Sequence, residues 1–360
     1  MIRLKQERPV SHTAPSPQPR PISVGLNAAI IGIRALTPVT LEVDLSGSRL
    51  ASPHSEQPDF TTDTQPSLGG LPFGPFDPAR HRTLEAGLRG WVEQQTGLRL
   101  GYVEQLYTFG DRGRRMEAGA SNSHEVSIGY LALTHLRQGT KGGSAQQDGT
   151  FAGRWCSWYR YFPWEDWRED RPSMLDAQML PALRYWAERE ADDGQRAMSA
   201  MQRLRLSFGL DGAVWDEERV LERYELLYEA GLVMEHFRDR GLLPAPQSAP
   251  LFGQPMHMDH RRILATAISR LRSKLKYRPV VFELMPDHFT LTELQSTVEA
   301  ISGRHLHKQN FRRLVEQGQL VEPTGAASTT TGGRPAKLFR FRRSVLAERP
   351  APGLRLGSTN

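Results

Sequence analysis

The chain has 360 residues, is 38% hydrophobic and carries 46 Lys and Arg against 40 Asp and Glu, which is enough length and core material for two domains. The lone cysteine, Cys156, excludes an internal disulfide and any site with two cysteine ligands. No apolar run is long enough to span a membrane and no apolar segment of a signal peptide follows Met1, so we expect a cytoplasmic protein. Residues 1–20 are rich in Pro, Ser and Gln, which predicts a disordered tail.

The front of the chain has the pattern of a mixed α/β domain. Runs of β-forming residues predict strands at 22–34, 39–43, 100–109 and 126–134. The first two are expected to meet at a turn around Pro38, and a helix from Thr83 to Gln95 should end at Gly97. This order predicts an α/β sandwich over residues 21–150.

The middle of the chain is aromatic and then helical. Residues 151–168 hold four of the seven tryptophans, which favours a packed core, although the same residues could form a platform that stacks an adenine or a partner. Apolar residues at helical spacing over 173–190, 195–208 and 215–241 predict a helical insertion within residues 151–245. Residues 242–255, rich in Pro, Gly and Ser, are typical of a linker.

A further helix is predicted from a cap at Asp259 to about Lys276, with one apolar stripe, and it would connect the two halves of the protein. His257 and His260 lie three residues apart beside Asp259, but two histidines without a further ligand in spacing do not make a metal site. We therefore expect no bound metal and no cofactor.

Residues 289–343 predict a helix-turn-helix followed by a hairpin. Thr290 and Glu293 have the spacing of a capping box, and Gly303 allows the left-handed residue that ends the first helix. A second helix should begin near Leu306 and stop at Gly318. Together with a small-residue loop over 324–333 and a basic strand over 337–343, this is the outline of a winged helix.

The second helix presents residue types that read DNA. Arg and Lys donate to guanine O6 and N7, and Asn and Gln pair with adenine N6 and N7 in the major groove. The residues predicted to bind DNA, including two from the hairpin, are Lys308, Gln309, Asn310, Arg312, Arg313, Arg334 and Lys337.

Charge is segregated along the chain. Residues 260–343 contain 16 Lys and Arg but only 6 Asp and Glu, a net charge of +10, whereas the whole chain is +6, so the remainder is acidic by about four units. A basic segment of this kind is typical of a polyanion-binding domain and weighs against the plain alternative of a solvated charged helix.

The run LPFGPFDPARHRTLEAGLRGWVEQQTGL, from Leu71 to Leu98, resembles a degraded Nudix box. Alignment on its final glycine puts Gln94 and Gln95 where the family has paired metal-binding glutamates. The Arg-Glu pair falls on Gly90 and Trp91, and the upstream glutamate on Arg82. Neutral amides do not replace the anionic oxygens that Mg²⁺ needs beside phosphates, so we expect no catalytic residues and no pyrophosphatase activity.

The segments GYVEQLYTFGDRGRR and VSIGYLALT, and the C-terminal run from RLRSKLKYRPVVFELMPDHF to GRPAKLFRF, resemble the Nudix-related transcriptional regulators of NAD metabolism. The resemblance implies an α+β protein: a Nudix-like α/β/α sandwich with a helical insertion, then a winged helix with its linker helix over residues 259–345. The end of the chain is similar in composition to residues 1–20, which predicts a disordered tail over 346–360. The resemblance further implies a homodimeric repressor that binds a palindromic operator and senses ADP-ribose or a related NAD metabolite. Arg112, Arg114 and Arg115 lie where the family has an Arg-rich loop associated with the ligand phosphates, and that loop is shortened here and followed by an inserted AGASNSH. The alternative is a basic loop that is merely solvated.

Two other functions remain open at this stage. One is a Mg²⁺-dependent Nudix pyrophosphatase with an accessory DNA-binding domain, and the other is a DNA-binding module whose Nudix-like half serves only to dimerise. For the regulator, we hypothesise that ligand rotates the linker helices and releases DNA. Truncation after Met258 is then expected to leave a dimer without DNA affinity.

Overall fold

The computed structural model describes residues 22–43, 68–111, 124–136, 153–190, 198–244, 250–328, 335–349 and 353–354. The strands are β1 (Ile22–Arg34), β2 (Thr37–Val43), β3 (Phe73–Pro75), β4 (Tyr102–Phe109), β5 (His124–Leu133), β6 (Gly153–Ser157), β7 (Val321–Ser328) and β8 (Ala336–Phe341). The helices are α1 (Leu84–Thr96), α2 (Leu180–Arg189), α3 (Ala200–Phe208), α4 (Val220–Glu229), α5 (Met234–Arg238), α6 (His260–Tyr277), α7 (Leu291–Ser302), α8 (Lys308–Gly318) and α9 (Val345–Glu348). Among these residues no helix is both long and apolar enough to cross a bilayer.

The first half is a six-stranded mixed sheet in the order β4-β5-β1-β2-β6, with β3 also paired to β1. β1 and β5 run parallel, and the other pairs are antiparallel. Alternate residues of β1 enter two different cores: Leu26 and Ala28 pack with α1, whereas Ala29 and Ile31 belong to the core that contains α6. Because both faces are covered, β1 is a continuous apolar run in the sequence, and the fold is an α/β/α sandwich.

The turn between the first two strands is not at Pro38. Pro38 lies inside β2 opposite Ile33, and the turn consists of Ala35 and Leu36 with φ of 46° and 58°. Positive φ at both central residues is the geometry of a two-residue hairpin whose twist matches its strands. The prediction failed because neither residue is a usual turn former.

Helix α6 is a core helix rather than an exposed linker. Its predicted apolar stripe is buried, and Leu264, Leu271 and Leu275 are fully inaccessible. The helix packs on β1, β4, β5, α4 and α7. The side chain of Asp259 makes no capping hydrogen bond to it, contrary to prediction. Truncation after Met258 would remove this helix from the core, so the structure favours loss of folding over the folded dimer expected from the sequence.

The aromatic segment is also core. Trp158, Phe162 and Trp164 are fully buried, so the stacking-platform alternative is wrong for these rings. A π-helical turn at Leu175–Met179 leads into α2, and the helix predicted over 215–241 is divided into α4 and α5 around Gly231. Part of the predicted linker is docked, since Phe252 is buried and its N–H donates to the carbonyl of Leu232.

The end of the chain is partly ordered where a tail was predicted. α9 follows the wing, and Leu354 is buried with its N–H donating to Leu275 O. Residues 350–352 and 355–360 of the predicted tail, and residues 1–20, lie outside the described residues.

Candidate functional site

The first helix of the helix-turn-helix begins and ends as its sequence predicts. The hydroxyl of Thr290 accepts from the N–H of Glu293 at 3.1 Å, and the N–H of Thr290 donates to the Glu293 carboxylate at 2.7 Å. Gly303 has φ of 73° and its N–H donates to Glu299 O. These hydrogen bonds satisfy backbone groups that the helix termini leave unpaired.

The second helix, α8, has one buried face and one exposed face. Phe311 and Val315 are buried against α7, and the helix is followed by Gln319 in the left-handed region, one residue beyond the predicted glycine stop. The opposite face carries five exposed side chains, all of them predicted to bind DNA: Lys308, Gln309, Asn310, Arg312 and Arg313. Their donors and acceptors are therefore available to a partner surface.

The wing is a two-stranded hairpin of β7 and β8. Lys337 is exposed on β8, while Arg334 lies outside the described residues. β7 runs to Ser328, so part of the predicted loop is strand. The hairpin is anchored by Phe282, which stacks on Phe341 with ring centroids 4.3 Å apart.

The basic excess counted in the sequence is not all surface charge. Arg261 and Arg272 are buried, where they pair with Glu235 and Glu165 from the middle segment. These two arginines neutralise internal carboxylates and do not add to a DNA-facing field. The cations of α8 and Lys337 of the wing remain exposed, so the basic excess at the surface is smaller than the count over residues 260–343.

The segment that resembles a degraded Nudix box, 71–98, forms β3, α1 and the turn between them. Trp91 donates its indole N–H to Pro75 O at 2.9 Å, and Gln95 accepts from Phe73 N at 3.1 Å and donates to Phe73 O at 2.6 Å. Both side chains thus bind the backbone of β3, while Gln94 is exposed. Trp91 and Gln95 offer an indole and an amide where a hard cation such as Mg²⁺ needs carboxylate oxygens as ligands. Their chemistry therefore does not fit such a cation.

The predicted ligand-binding residues Arg112, Arg114 and Arg115 lie outside the described residues. The residue before them, Asp111, forms an ion pair with Arg262 in the first turn of α6. Arg262 also pairs with Glu225 of α4, and its guanidinium lies 5.1 Å from the ring centroid of Phe109. Asp111, the last described residue before the three arginines, is therefore held against α6.

His260, the first residue of α6, has a structural role. His260 is buried and its Nδ1 accepts from the N–H of Leu71 at 3.0 Å. Within the described part of the chain, no three His, Cys, Asp or Glu side chains are grouped to hold a metal ion.

Two short helices with an exposed basic second helix, followed by a two-stranded wing, define a winged-helix domain of the kind that binds DNA. Residues 281–341 match the family of the NrtR DNA-binding winged helix domain. The chain is 45% identical over 83 residues to the ADPR responsive transcriptional repressor NtrR of Acinetobacter baylyi. That match covers 23% of this chain and 33% of the relative, so the chain spans about a third of the relative's length.

Two solved structures overlap with most of the chain. NrtR of Shewanella oneidensis in complex with a 27mer DNA has 19% identity and a TM-score of 0.48, covering 90% of this chain and 95% of that one. A MutT/nudix family protein from Enterococcus faecalis has 14% identity and a TM-score of 0.48, covering 91% of this chain and 89% of that one. A TM-score of 0.48 carries no argument, so the Nudix-like nature of the first half stays an expectation from its sequence.

Proposed function

We propose that this protein is a DNA-binding transcriptional repressor that senses ADP-ribose or a related NAD metabolite. The observation that carries the proposal is the exposed Lys, Gln, Asn and Arg face of α8 within a winged helix. The relative with 45% identity over 83 residues is named as an ADPR-responsive repressor, which supports both the effector and the sign of regulation. Such a regulator acts on chromosomal DNA, and we place it in the cytoplasm as a homodimer on a palindromic operator.

The recognition face has a direct test in Arg312→Ala/Arg313→Ala. Each arginine that binds a base contributes about 1–3 kcal/mol, and each arginine that binds a phosphate adds about one unit to the salt dependence of DNA binding. The probe is a duplex selected from a random-sequence library with the wild-type protein, followed by fluorescence anisotropy over a salt series. Arg184→Ala/Arg189→Ala, which removes two exposed arginines from α2, is the control. Equal DNA affinity of the two double variants would remove α8 as the recognition helix.

We propose that the Nudix-like half is a sensor without pyrophosphatase activity. Trp91 and Gln95 support this, because their polar atoms are committed to the β3 backbone and neither supplies an anionic oxygen. Incubation with ADP-ribose or NAD and Mg²⁺, with AMP as the product measured, separates this from the enzyme alternative. Turnover of about one per second, an ordinary enzymatic rate, would establish the enzyme.

We assign the effector's diphosphate to Arg112, Arg114 and Arg115, whose planar guanidiniums suit paired phosphate oxygens. The ion pair between Asp111 and Arg262 supports a route from this segment to α6, and α6 in turn packs on α7 of the winged helix. A coupling of about 1–3 kcal/mol between the two sites is enough for regulation.

Isothermal titration of wild type with ADP-ribose tests this assignment. We expect heat from wild type and none from the Arg112→Ala/Arg114→Ala/Arg115→Ala variant. The alternative, a first half that serves only to dimerise, predicts no heat with either protein.

A further inference from the structure

The C-terminal end of α7 is capped by groups from outside the winged helix. The hydroxyl of Tyr159, Nε of Arg272 and the backbone N–H of Trp167 donate at 2.7, 2.8 and 2.7 Å. Their acceptors are the carbonyls of Ala300, Ile301 and Gly303. The last turn of a helix leaves such carbonyls without partners in the helix itself. These three bonds therefore tie the turn between α7 and α8 to the rest of the molecule.

A buried ionic cluster holds one of these donors in place. The Glu165 carboxylate accepts from Arg223 at 2.6 and 2.9 Å and from Arg272 Nη1 at 2.6 Å, and all three side chains are at most 1% exposed. Burial raises the pKa of Glu165, but the two guanidiniums outweigh burial and hold that pKa below its ordinary value. The carboxylate is thus charged, and it fixes the guanidinium that reaches Ile301.

The same cluster is connected to the edge of the sheet. β6 pairs with β2 at that edge, and two 3-10 turns, Trp158–Arg160 and Pro163–Glu165, lead from the end of β6 to Glu165. Residues 153–167 thus run from the sheet to the turn of the helix-turn-helix. The winged helix is held by this segment as well as by α6.

We propose that the Glu165–Arg223–Arg272 cluster is a joint that fixes the orientation of the winged helix on the body, meaning the described residues between 22 and 277. We further propose that Glu165 thereby sets how strongly a dimer prefers one half-site spacing. The second statement rests on the proposed DNA-binding function. In a dimer, binding of the second half-site is intramolecular, and its effective concentration depends on the stiffness of the connection. A firm joint favours one spacing strongly, and a loose joint favours several spacings weakly.

The matched variants are Glu165→Gln and Glu235→Gln. Glu235 is also a buried carboxylate paired with an arginine, Arg261, but the Glu235 carboxylate accepts from Met256 N and Arg261 within the body rather than from a donor that caps α7. Glu165→Gln loses buried ion pairs with Arg223 and Arg272, and Glu235→Gln loses the buried ion pair with Arg261. Only Glu165→Gln is expected to loosen the winged helix.

The first measurement needs no DNA. Spin labels are placed in the full chain at exposed positions of the body and of α8, Tyr185→Cys and Gln317→Cys, with Cys156→Ser as background, and distances are measured by double electron–electron resonance. We expect one narrow distribution for the otherwise unchanged protein and for Glu235→Gln, and a broad one for Glu165→Gln. Distance distributions of equal width for the two variants would refute the proposal that the cluster fixes the orientation of the winged helix.

The second measurement compares affinities for a single half-site and for duplexes with varied half-site spacing. In Glu165→Gln we expect half-site affinity within about twofold of wild type but an about tenfold weaker preference for the best spacing. An unchanged spacing preference would overturn the role of Glu165. If wild type binds no selected DNA, the proposed function fails. The distances between the spin labels still show whether the cluster fixes the orientation of the winged helix.

A milder pair covers the case in which Glu165→Gln does not fold. Tyr159→Phe removes the hydroxyl that donates to Ala300 O, and Tyr161→Phe removes a hydroxyl that donates to Glu42 inside the body. Tyr159→Phe should broaden the distribution of distances between the spin labels, and Tyr161→Phe should not. The same result for both variants would contradict the proposal.

Discussion

Two features of the structure require glycine at position 303: the left-handed backbone and a close approach of neighbouring atoms. Comparing Gly303→Ala with Gly97→Ala separates the two, because Gly97 has only the first feature. Both glycines end a helix with positive φ, 73° at Gly303 and 68° at Gly97. A Cβ at Gly97 meets nothing within 4 Å, so alanine there suffers only the left-handed backbone strain of about 1 kcal/mol. A Cβ at Gly303 would lie 2.3 Å from Glu165 O and 2.9 Å from Nη2 of Arg272.

The steric cost of a Cβ at residue 303 adds to the backbone strain. Ordinary van der Waals separation begins at 3.4 Å, so the Glu165 backbone, whose side chain is held by two buried arginines, would have to move by about 1 Å. Forced overpacking of this kind costs about 1–3 kcal/mol. We expect Gly303→Ala to destabilise the protein by about 2–4 kcal/mol and Gly97→Ala by about 1 kcal/mol.

The assay is urea unfolding of the full chain followed by tryptophan fluorescence, since Trp158 and Trp164 lie in the core beside the joint. The free energies of unfolding of the two variants are compared with that of wild type. Equal losses for the two variants would refute the close approach of residues 165 and 303.

Three further outcomes are expected from the same unfolding assay. Thr290→Ala removes the hydroxyl that accepts from Glu293 N and should cost about 1 kcal/mol; no loss would contradict the capping box. Leu271 is fully buried on α6, so Leu271→Ala should lower the free energy of unfolding by about 2–5 kcal/mol. The Leu243 side chain is 87% exposed, so Leu243→Ala should leave that free energy almost unchanged. Similar small losses for both variants would mean that α6 is a surface linker. The pKa of Glu165 is lowered in the folded protein, so the folded protein binds this proton more weakly than the unfolded chain does. The charged carboxylate therefore adds to the free energy of unfolding above its ordinary pKa of 4.5, and this contribution is lost as the pH falls below that value. Wild type should therefore lose more stability between pH 7 and pH 4 than Glu165→Gln, and parallel losses would show that this carboxylate does not titrate with folding.

Features set by neighbours in the chain were predicted correctly. The capping box, the glycine that ends α7 and the exposed face of α8 depend on residues within one or two turns, so their spacing alone determines them. The aromatic segment was correctly favoured as core because large apolar rings gain most from burial. Arg334 and the three predicted phosphate-binding arginines lie outside the described residues and stay predictions.

Features set by distant parts of the chain were decided only by the tertiary structure. An amphipathic pattern predicts α6 but does not say whether its remaining sides meet solvent or other elements, and here the sheet and α4 cover them. The box positions Trp91 and Gln95 differ from the Nudix pattern in sequence, but their bonds to β3 appear only in the folded chain. Glu165 lies 58 residues from Arg223 and 107 from Arg272, and no local spacing encodes pairs that only chain folding brings together.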